Sequence, residues 1–177
     1  MVSLKYRKKE RLPHLAFCWA VIIKIINSEI SKMIRLHSHH DIGAPRETIW
    51  QLLMDFGNIE AWWPANTPID IDRVELDGSG VGMTRHIYNV GFDAPVSERL
   101  DALDLENYIV QLSIVGERPA GLLHYQAKGQ LTVLDNGGCR LTYDSEFIAE
   151  EGREEEAKAF LLGAYELMYL GFDGVDA

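Results

Sequence analysis

Residues 122–148 read LLHYQAKGQLTVLDNGGCRLTYDSEFI, and residues 152–172 read GREEEAKAFLLGAYELMYLGF. In the first stretch, apolar and polar residues alternate on both sides of an Asp-Asn-Gly-Gly turn, which predicts two antiparallel strands over 122–134 and 140–148. In the second stretch, apolar residues recur every three or four positions and predict a long helix with a broad apolar face. A helix of this kind needs a large apolar surface to lie on, and the preceding strands can provide it.

More strands precede this pair. Short turns separate four further alternating runs, over 69–76, 83–90, 96–103 and 108–115. Six consecutive strands joined by short turns form an antiparallel meander and not a series of βαβ units.

The segment before the meander completes the predicted architecture. It contains a strand over 33–42, a helix opened by Ala44-Pro45, and a short helix over 59–63 that Pro64 ends. We therefore predict an α+β fold, in which a curved antiparallel sheet of about seven strands wraps around the long C-terminal helix, with two short helices after the first strand. A gap between the two apolar faces would form a ligand pocket.

The charge of the chain excludes several classes of partner. The net charge is −10, and residues 33–177 alone carry −15. A body this acidic repels phosphate backbones and anionic lipid headgroups, so we expect no nucleic-acid binding and no stable membrane insertion. The two cysteines, Cys18 and Cys139, are too few and too far apart for a disulfide framework, which favours a reducing, cytoplasmic setting.

Residues 1–32 form a separate basic extension with a net charge of +5. Its charged start and the apolar run over 15–23 are typical of an export signal, but no small-x-small cleavage site follows. The extension could equally be an amphipathic surface helix, or translation could begin at Met33. We place the domain boundary between residues 32 and 33 and expect one domain over 33–177.

Several short motifs resemble the START-like, helix-grip superfamily that includes polyketide cyclases and dehydrases, lipid-transport proteins and the plant abscisic-acid receptors. The resemblance covers essentially residues 33–177. It is carried by Ile42-Gly43-Ala44-Pro45, Ile49-Trp50, Asp55-Phe56, Trp62-Trp63-Pro64, Gly82-Met83-Thr84-Arg85 and Ser97-Glu98-Arg99-Leu100-Asp101. It implies an internal cavity between sheet and helix that takes a small hydrophobic molecule.

Strand parity and the resemblance together indicate a pair of charged residues in that cavity. Glu98 shares a strand face with Val96 and Leu100, so its carboxylate points inward. An inward carboxylate needs a partner, and Arg85 on the neighbouring strand is the natural one. The alternative is a buried structural pair without a ligand.

The other candidate wall residues come mainly from the resemblance. It implies that Tyr125 contacts the ligand, and we expect the wall to include Trp63, Ile87, Leu112, Tyr165 and Met168 as well. The resemblance would also place Asp144 inside, whereas hydrophobic alternation places Tyr143 there and Asp144 outside. One of the adjacent tryptophans Trp62 and Trp63 should pack on the sheet, and the other should be partly exposed at the cavity mouth.

Other features limit the chemistry. The related hormone receptors anchor a ligand carboxylate with a lysine on the second strand, but residues 65–76 contain no lysine, so we do not expect abscisic acid as ligand. His37, His39 and Asp41 share one strand face without converging on a point, which indicates a solvated face and no metal site. We expect no cofactor, and a monomer or homodimer.

Two functions stay open: a binding protein, or a cyclase or dehydrase that uses Arg85, Glu98 and Tyr125 to polarise its substrate and move protons.

Overall fold

The structure, a computed structural model, describes residues 33–175 of the chain. The predicted basic extension, residues 1–32, lies outside the described residues. Within them, the strands and α-helices are β1 (Ile34–Ile42), α1 (Arg46–Met54), β2 (Ile71–Asp77), β3 (Thr84–Asn89), β4 (Val96–Asp104), β5 (Ile109–Ile114), β6 (Leu122–Val133), β7 (Cys139–Ala149) and α2 (Glu154–Asp173). Three-residue 3-10 helices stand at Ile59–Ala61 and Pro119–Gly121.

All seven strands form one antiparallel sheet in the order β1-β7-β6-β5-β4-β3-β2. The strands from β2 to β7 are the predicted meander, and β1 adds to its edge beside β7. Irregular register interrupts the pairing at Ile71/Arg73, Leu100/Ala102 and Leu122/His124. Interruptions of this kind bend a strand and increase its twist, which curves the sheet. The predicted fold class is confirmed, with the second short helix reduced to a single 3-10 turn.

Helix α2 covers the apolar face of the curved sheet. Its buried residues are spaced by three or four positions, as one helix face requires: Ala157, Leu161, Tyr165, Met168 and Phe172. Two contacts fasten its C-terminal part to β1. Tyr169 hydrogen-bonds Ser38 through the two hydroxyl groups, and Nε2 of His40 lies 2.8 Å from Oδ1 of Asp173. Within residues 33–175, no helix is both long enough and apolar enough to cross a membrane.

The adjacent tryptophans occupy different environments, as predicted. Trp62 is buried and stacks on Phe172 of α2, with ring centroids 4.4 Å apart. The cause is a close backbone approach, because a Cβ atom on Gly171 would lie 2.2 Å from the Trp62 carbonyl oxygen. Trp63 is half-buried, and its Nε1 donates to the carbonyl of Ile69 at 2.8 Å.

Candidate functional site

A cavity of about 110 Å³ lies between the sheet and α2. Most of its wall is apolar, as expected where two apolar faces meet around incompletely filled space. The 3-10 segment after α1 closes one side. Eight of the nine residues predicted for the site lie in this wall: Trp63, Arg85, Ile87, Glu98, Leu112, Tyr125, Tyr165 and Met168.

Asp144 does not lie in the wall, so the position that the resemblance implied for it is wrong. Its side chain is on the outer face of β7, where Oδ1 lies 2.6 Å from Nδ1 of His37 on β1. The physical reason is strict alternation, because β7 is paired on both sides through Asp144 without a bulge. Tyr143 therefore faces inward, is buried, and lines the cavity.

Arg85 and Glu98 meet in the wall, as strand parity predicted. They are direct cross-strand partners of β3 and β4. Nε and Nη2 of Arg85 donate to the same carboxylate oxygen of Glu98 at 2.8 and 2.6 Å, and Nη1 donates to the carbonyl of Phe56 at 2.8 Å. The guanidinium also lies over the Phe56 ring, 4.2 Å from its centroid. The pair therefore ties two strands to the segment after α1.

A second polar group consists of tyrosine and serine hydroxyls on β6, β7 and α2. The hydroxyls of Tyr125 and Tyr165 lie 2.9 Å apart, and Tyr165 donates to Ser145 at 2.7 Å. Burial is the main cause that raises the pKa of Tyr125, Tyr143 and Tyr165, and the nearby Glu98 carboxylate contributes for Tyr143 and Tyr165. These phenols therefore stay protonated at neutral pH. They cannot act as bases, and Tyr165 could donate to a ligand oxygen only in place of its hydrogen bond to Ser145.

Two buried polar atoms in the wall have no hydrogen-bond partner among the residues that the structure describes. They are Nε1 of Trp62 and Oδ1 of Asn89, and each side chain is 8% exposed. Sequence analysis did not select either residue for the wall. For Asn89 a signal was present, since it shares the inward face of β3 with Arg85 and Ile87. For Trp62 there was none, because its burial depends on the distant contact with α2.

The histidine-rich strand β1 offers no metal centre. His37 and Asp41 are exposed on the outer face, and Asp41 forms an ion pair with Arg140 at 2.5 Å. No group of three or more His, Cys, Asp or Glu side chains within residues 33–175 is arranged to hold a metal ion. Among the described residues, the cavity wall holds one positive and one negative side chain, Arg85 and Glu98, which neutralise each other.

Comparison with known proteins identifies the relatives of this chain. Residues 33–168 match the family model described as "Polyketide cyclase / dehydrase and lipid transport". MLP-like protein 423 of Arabidopsis thaliana is 32% identical over 121 residues, which cover 63% of this chain and 74% of that protein.

Solved structures share the fold at much lower identity. Truncated norcoclaurine synthase from Thalictrum flavum superposes with a TM-score of 0.65 at 15% identity, over 80% of this chain and 91% of its own. The Zhui aromatase/cyclase from Streptomyces sp. R1128 superposes with a TM-score of 0.66 at 16% identity, over 80% of this chain and 92% of the aromatase/cyclase chain. These similarities establish the shared architecture alone.

Proposed function

Because this chain belongs to the polyketide cyclase/dehydrase and lipid-transport family, we propose that it binds a small hydrophobic molecule in the cavity between its sheet and α2. The observation that carries this proposal is the composition of the wall: apolar side chains with a few placed polar groups are typical of small-molecule sites. The protein would act in the cytoplasm as a monomer or homodimer.

The size of the cavity narrows the range of ligands. An apolar cavity of roughly 150 Å³ in another protein binds benzene. The 110 Å³ present here therefore suits a molecule of about one ring. A larger isoprenoid, lipid or polyketide would need the wall side chains to change rotamer.

Native mass spectrometry tests the proposal. The protein is purified from its source without denaturation, and a retained molecule is expected as a mass difference that disappears on unfolding. Ala164 lines the cavity, so Ala164→Trp should fill it and abolish retention. Ala159 lies exposed on the same helix, so Ala159→Trp is the matched control and should retain the molecule. Loss of retention in both variants, or no retained molecule in the unaltered protein, would refute the proposal.

A cyclase or dehydrase activity is the second candidate, and the buried phenols favour it. Tyr125 could donate to a ketone oxygen in place of its contact with Tyr165 and make the adjacent carbon more acidic, and among the described residues Glu98 is the one carboxylate in the wall. An intramolecular aldol step would then form a carbon–carbon bond and release water.

Incubation with a short 3,5,7-triketo thioester, in which C2 can attack the C7 ketone to close a six-membered ring, tests this second candidate. Turnover should give a cyclic product lighter by one water, more slowly with Tyr125→Phe and Glu98→Gln. Stoichiometric binding without product would favour the binding protein.

A further inference from the structure

Two polar atoms of the cavity wall are unpaired and still within reach of a ligand. Among the described residues, the side-chain polar atoms that are both unpaired and closed off from water are Trp62 Nε1, Asn89 Oδ1 and Asp101 Oδ2. The hydroxyl of Tyr143 and Oε1 of Glu98 keep accessible surface, although neither forms a hydrogen bond with residues 33–175. Both side chains line the cavity, so a molecule inside it can contact these two atoms.

The Tyr143 hydroxyl keeps its proton available because the neighbouring hydroxyls are engaged with one another. Tyr165 donates its one proton to Ser145 at 2.7 Å. The proton in the 2.9 Å contact between Tyr125 and Tyr165 must therefore come from Tyr125. Tyr143 lies outside this chain of hydrogen bonds and can donate to a ligand.

Packing holds the Tyr143 ring in a fixed position. The ring of Tyr165 packs against it edge-on, with centroids 5.0 Å apart. On the other side is Gly129, its direct partner on β6, where a Cβ atom would lie 3.3 Å from Cδ2 of Tyr143. The phenol is thus a preorganised donor, which lowers the entropy lost when it binds a ligand.

Glu98 presents the complementary acceptor. Nε and Nη2 of Arg85 both donate to Oε2, which leaves Oε1 to the cavity. Nη1 donates to the carbonyl of Phe56, so every nitrogen of the guanidinium already has an acceptor. A ligand carboxylate would therefore meet the unpaired oxygen of Glu98 and no available cation, which is unfavourable, whereas a hydroxyl proton finds an acceptor there.

The two groups face the same part of the cavity. Burial raises the pKa of Tyr143, and the nearby phenol of Tyr165 and the carboxylate of Glu98 add to the rise. A carboxylate disfavours a phenolate in this way only across a short distance. Because the cavity of about 110 Å³ accommodates about one ring, a single bound molecule can contact both groups.

We infer that Tyr143 is the residue that selects the ligand, by donating to an oxygen of a neutral molecule whose hydroxyl proton is accepted by Oε1 of Glu98. Tyr125 and Tyr165 stay paired with each other and serve to position the Tyr143 ring. The ligand class is therefore a neutral phenol or alcohol of about one ring. The inference rests on the proposed function, because it specifies the ligand of that same cavity.

Three single-ring probes test the role of Tyr143: 4-methylphenol can accept and donate, 4-methylanisole can only accept, and para-xylene can do neither. Their dissociation constants are measured by calorimetry with the full chain and its variants. Tyr143→Phe should weaken 4-methylphenol and 4-methylanisole roughly five- to tenfold, the effect of one neutral hydrogen bond, and leave para-xylene at least as tightly bound. The control Tyr88→Phe makes the same change on the outer face of β3, where the hydroxyl donates to Glu75, and should alter none of the three.

The same probes test Glu98 separately. The double variant Arg85→Met, Glu98→Leu removes Oε1 together with its counter-charge. It should weaken 4-methylphenol at least tenfold more than 4-methylanisole, because only the phenol donates a hydrogen bond to the carboxylate.

The outcomes separate the two proposals. Equal changes for 4-methylphenol and para-xylene in Tyr143→Phe, a selective loss in Tyr125→Phe in its place, or equal losses of 4-methylphenol and 4-methylanisole in the double variant would overturn the inference and leave the binding function intact. Failure of all three probes to bind the unaltered protein would overturn both. Tyr143→Phe removes a hydroxyl without a partner, so its denaturation midpoint at neutral pH should not fall. A marked fall would show that the hydroxyl is bonded within the protein and would also contradict the inference.

Discussion

The Arg85 guanidinium and the Glu98 carboxylate form an ion pair inside the domain, with Nη2 and Oε2 2.6 Å apart. Their side chains are 8% and 18% exposed. The pair lies in the cavity wall and also holds the carbonyl of Phe56, so it joins the proposed ligand site to the stability of the fold.

Breaking this pair from one side should destabilise the protein. Glu98→Gln leaves the Arg85 charge buried without a counter-charge, and we expect the free energy of unfolding to fall by about 3 kcal/mol. The double variant Arg85→Met, Glu98→Leu removes both charges and should recover most of that loss. Denaturant titration of the unaltered protein and the variants measures both effects. The single variants Arg85→Met and Glu98→Leu complete the comparison, and if their separate losses add up to that of the double variant, the interaction between the charges does not account for the loss.

The close approach between α2 and Trp62 predicts opposite effects at two glycines of the same helix. Gly171→Ala would place a methyl group 2.2 Å from the Trp62 carbonyl oxygen, and the clash should cost about 1–3 kcal/mol of unfolding free energy. At Gly163 an added Cβ would meet no described atom within 4 Å apart from its chain neighbours and the local helix backbone, so Gly163→Ala should stabilise by roughly 0.5–1 kcal/mol. Thermal and denaturant unfolding of the two variants compares them. A neutral Gly171→Ala would show that the helix can move away from Trp62.

The buried phenols should make stability fall at high pH. In the unfolded chain a tyrosine loses its proton near pH 10, whereas in the fold burial raises the pKa of Tyr143 and Tyr125. Their contribution is therefore fully present below about pH 10. It declines above that value, by at most about 1.4 kcal/mol per pH unit for each phenol. Denaturant titrations at pH 8, 10 and 11 should show the decline, and Tyr143→Phe should reduce its slope. An unchanged slope in that variant would contradict the assigned burial.

The domain boundary remains a prediction that truncation can test. The family match begins at residue 33 and β1 begins at Ile34, so we expect a chain of residues 33–177 to fold as the full chain does. Its unfolding free energy should agree within about 0.5 kcal/mol. A loss above ~2 kcal/mol, typical of removed core packing, would show that residues 1–32 belong to the fold.

Local sequence patterns predicted most of the fold, because the buried residues of a strand or a helix recur at a fixed spacing along the sequence. Alternation favoured Tyr143 inside and Asp144 outside against the resemblance, and together with the resemblance it paired Arg85 with Glu98. The same reasoning could not locate Trp62, whose position depends on Gly171 more than a hundred residues away. It also could not show that the Asn89 amide oxygen lacks a partner, since that depends on every element packed around the side chain.

The hydrogen bonds between α2 and the sheet have a consequence for ligand exchange. A hydrogen bond from Tyr165 to Ser145 and another between the hydroxyls of Tyr169 and Ser38 hold the helix against β7 and β1. Loop 90–95, between wall residues Asn89 and Val96, leaves Phe92 65% exposed. Moving the helix side of the cavity would break these hydrogen bonds, so we expect the loop to be the part that moves at least cost. Ligand exchange rates should accordingly respond to changes in the loop, and the residence of the ligand to changes in the helix wall.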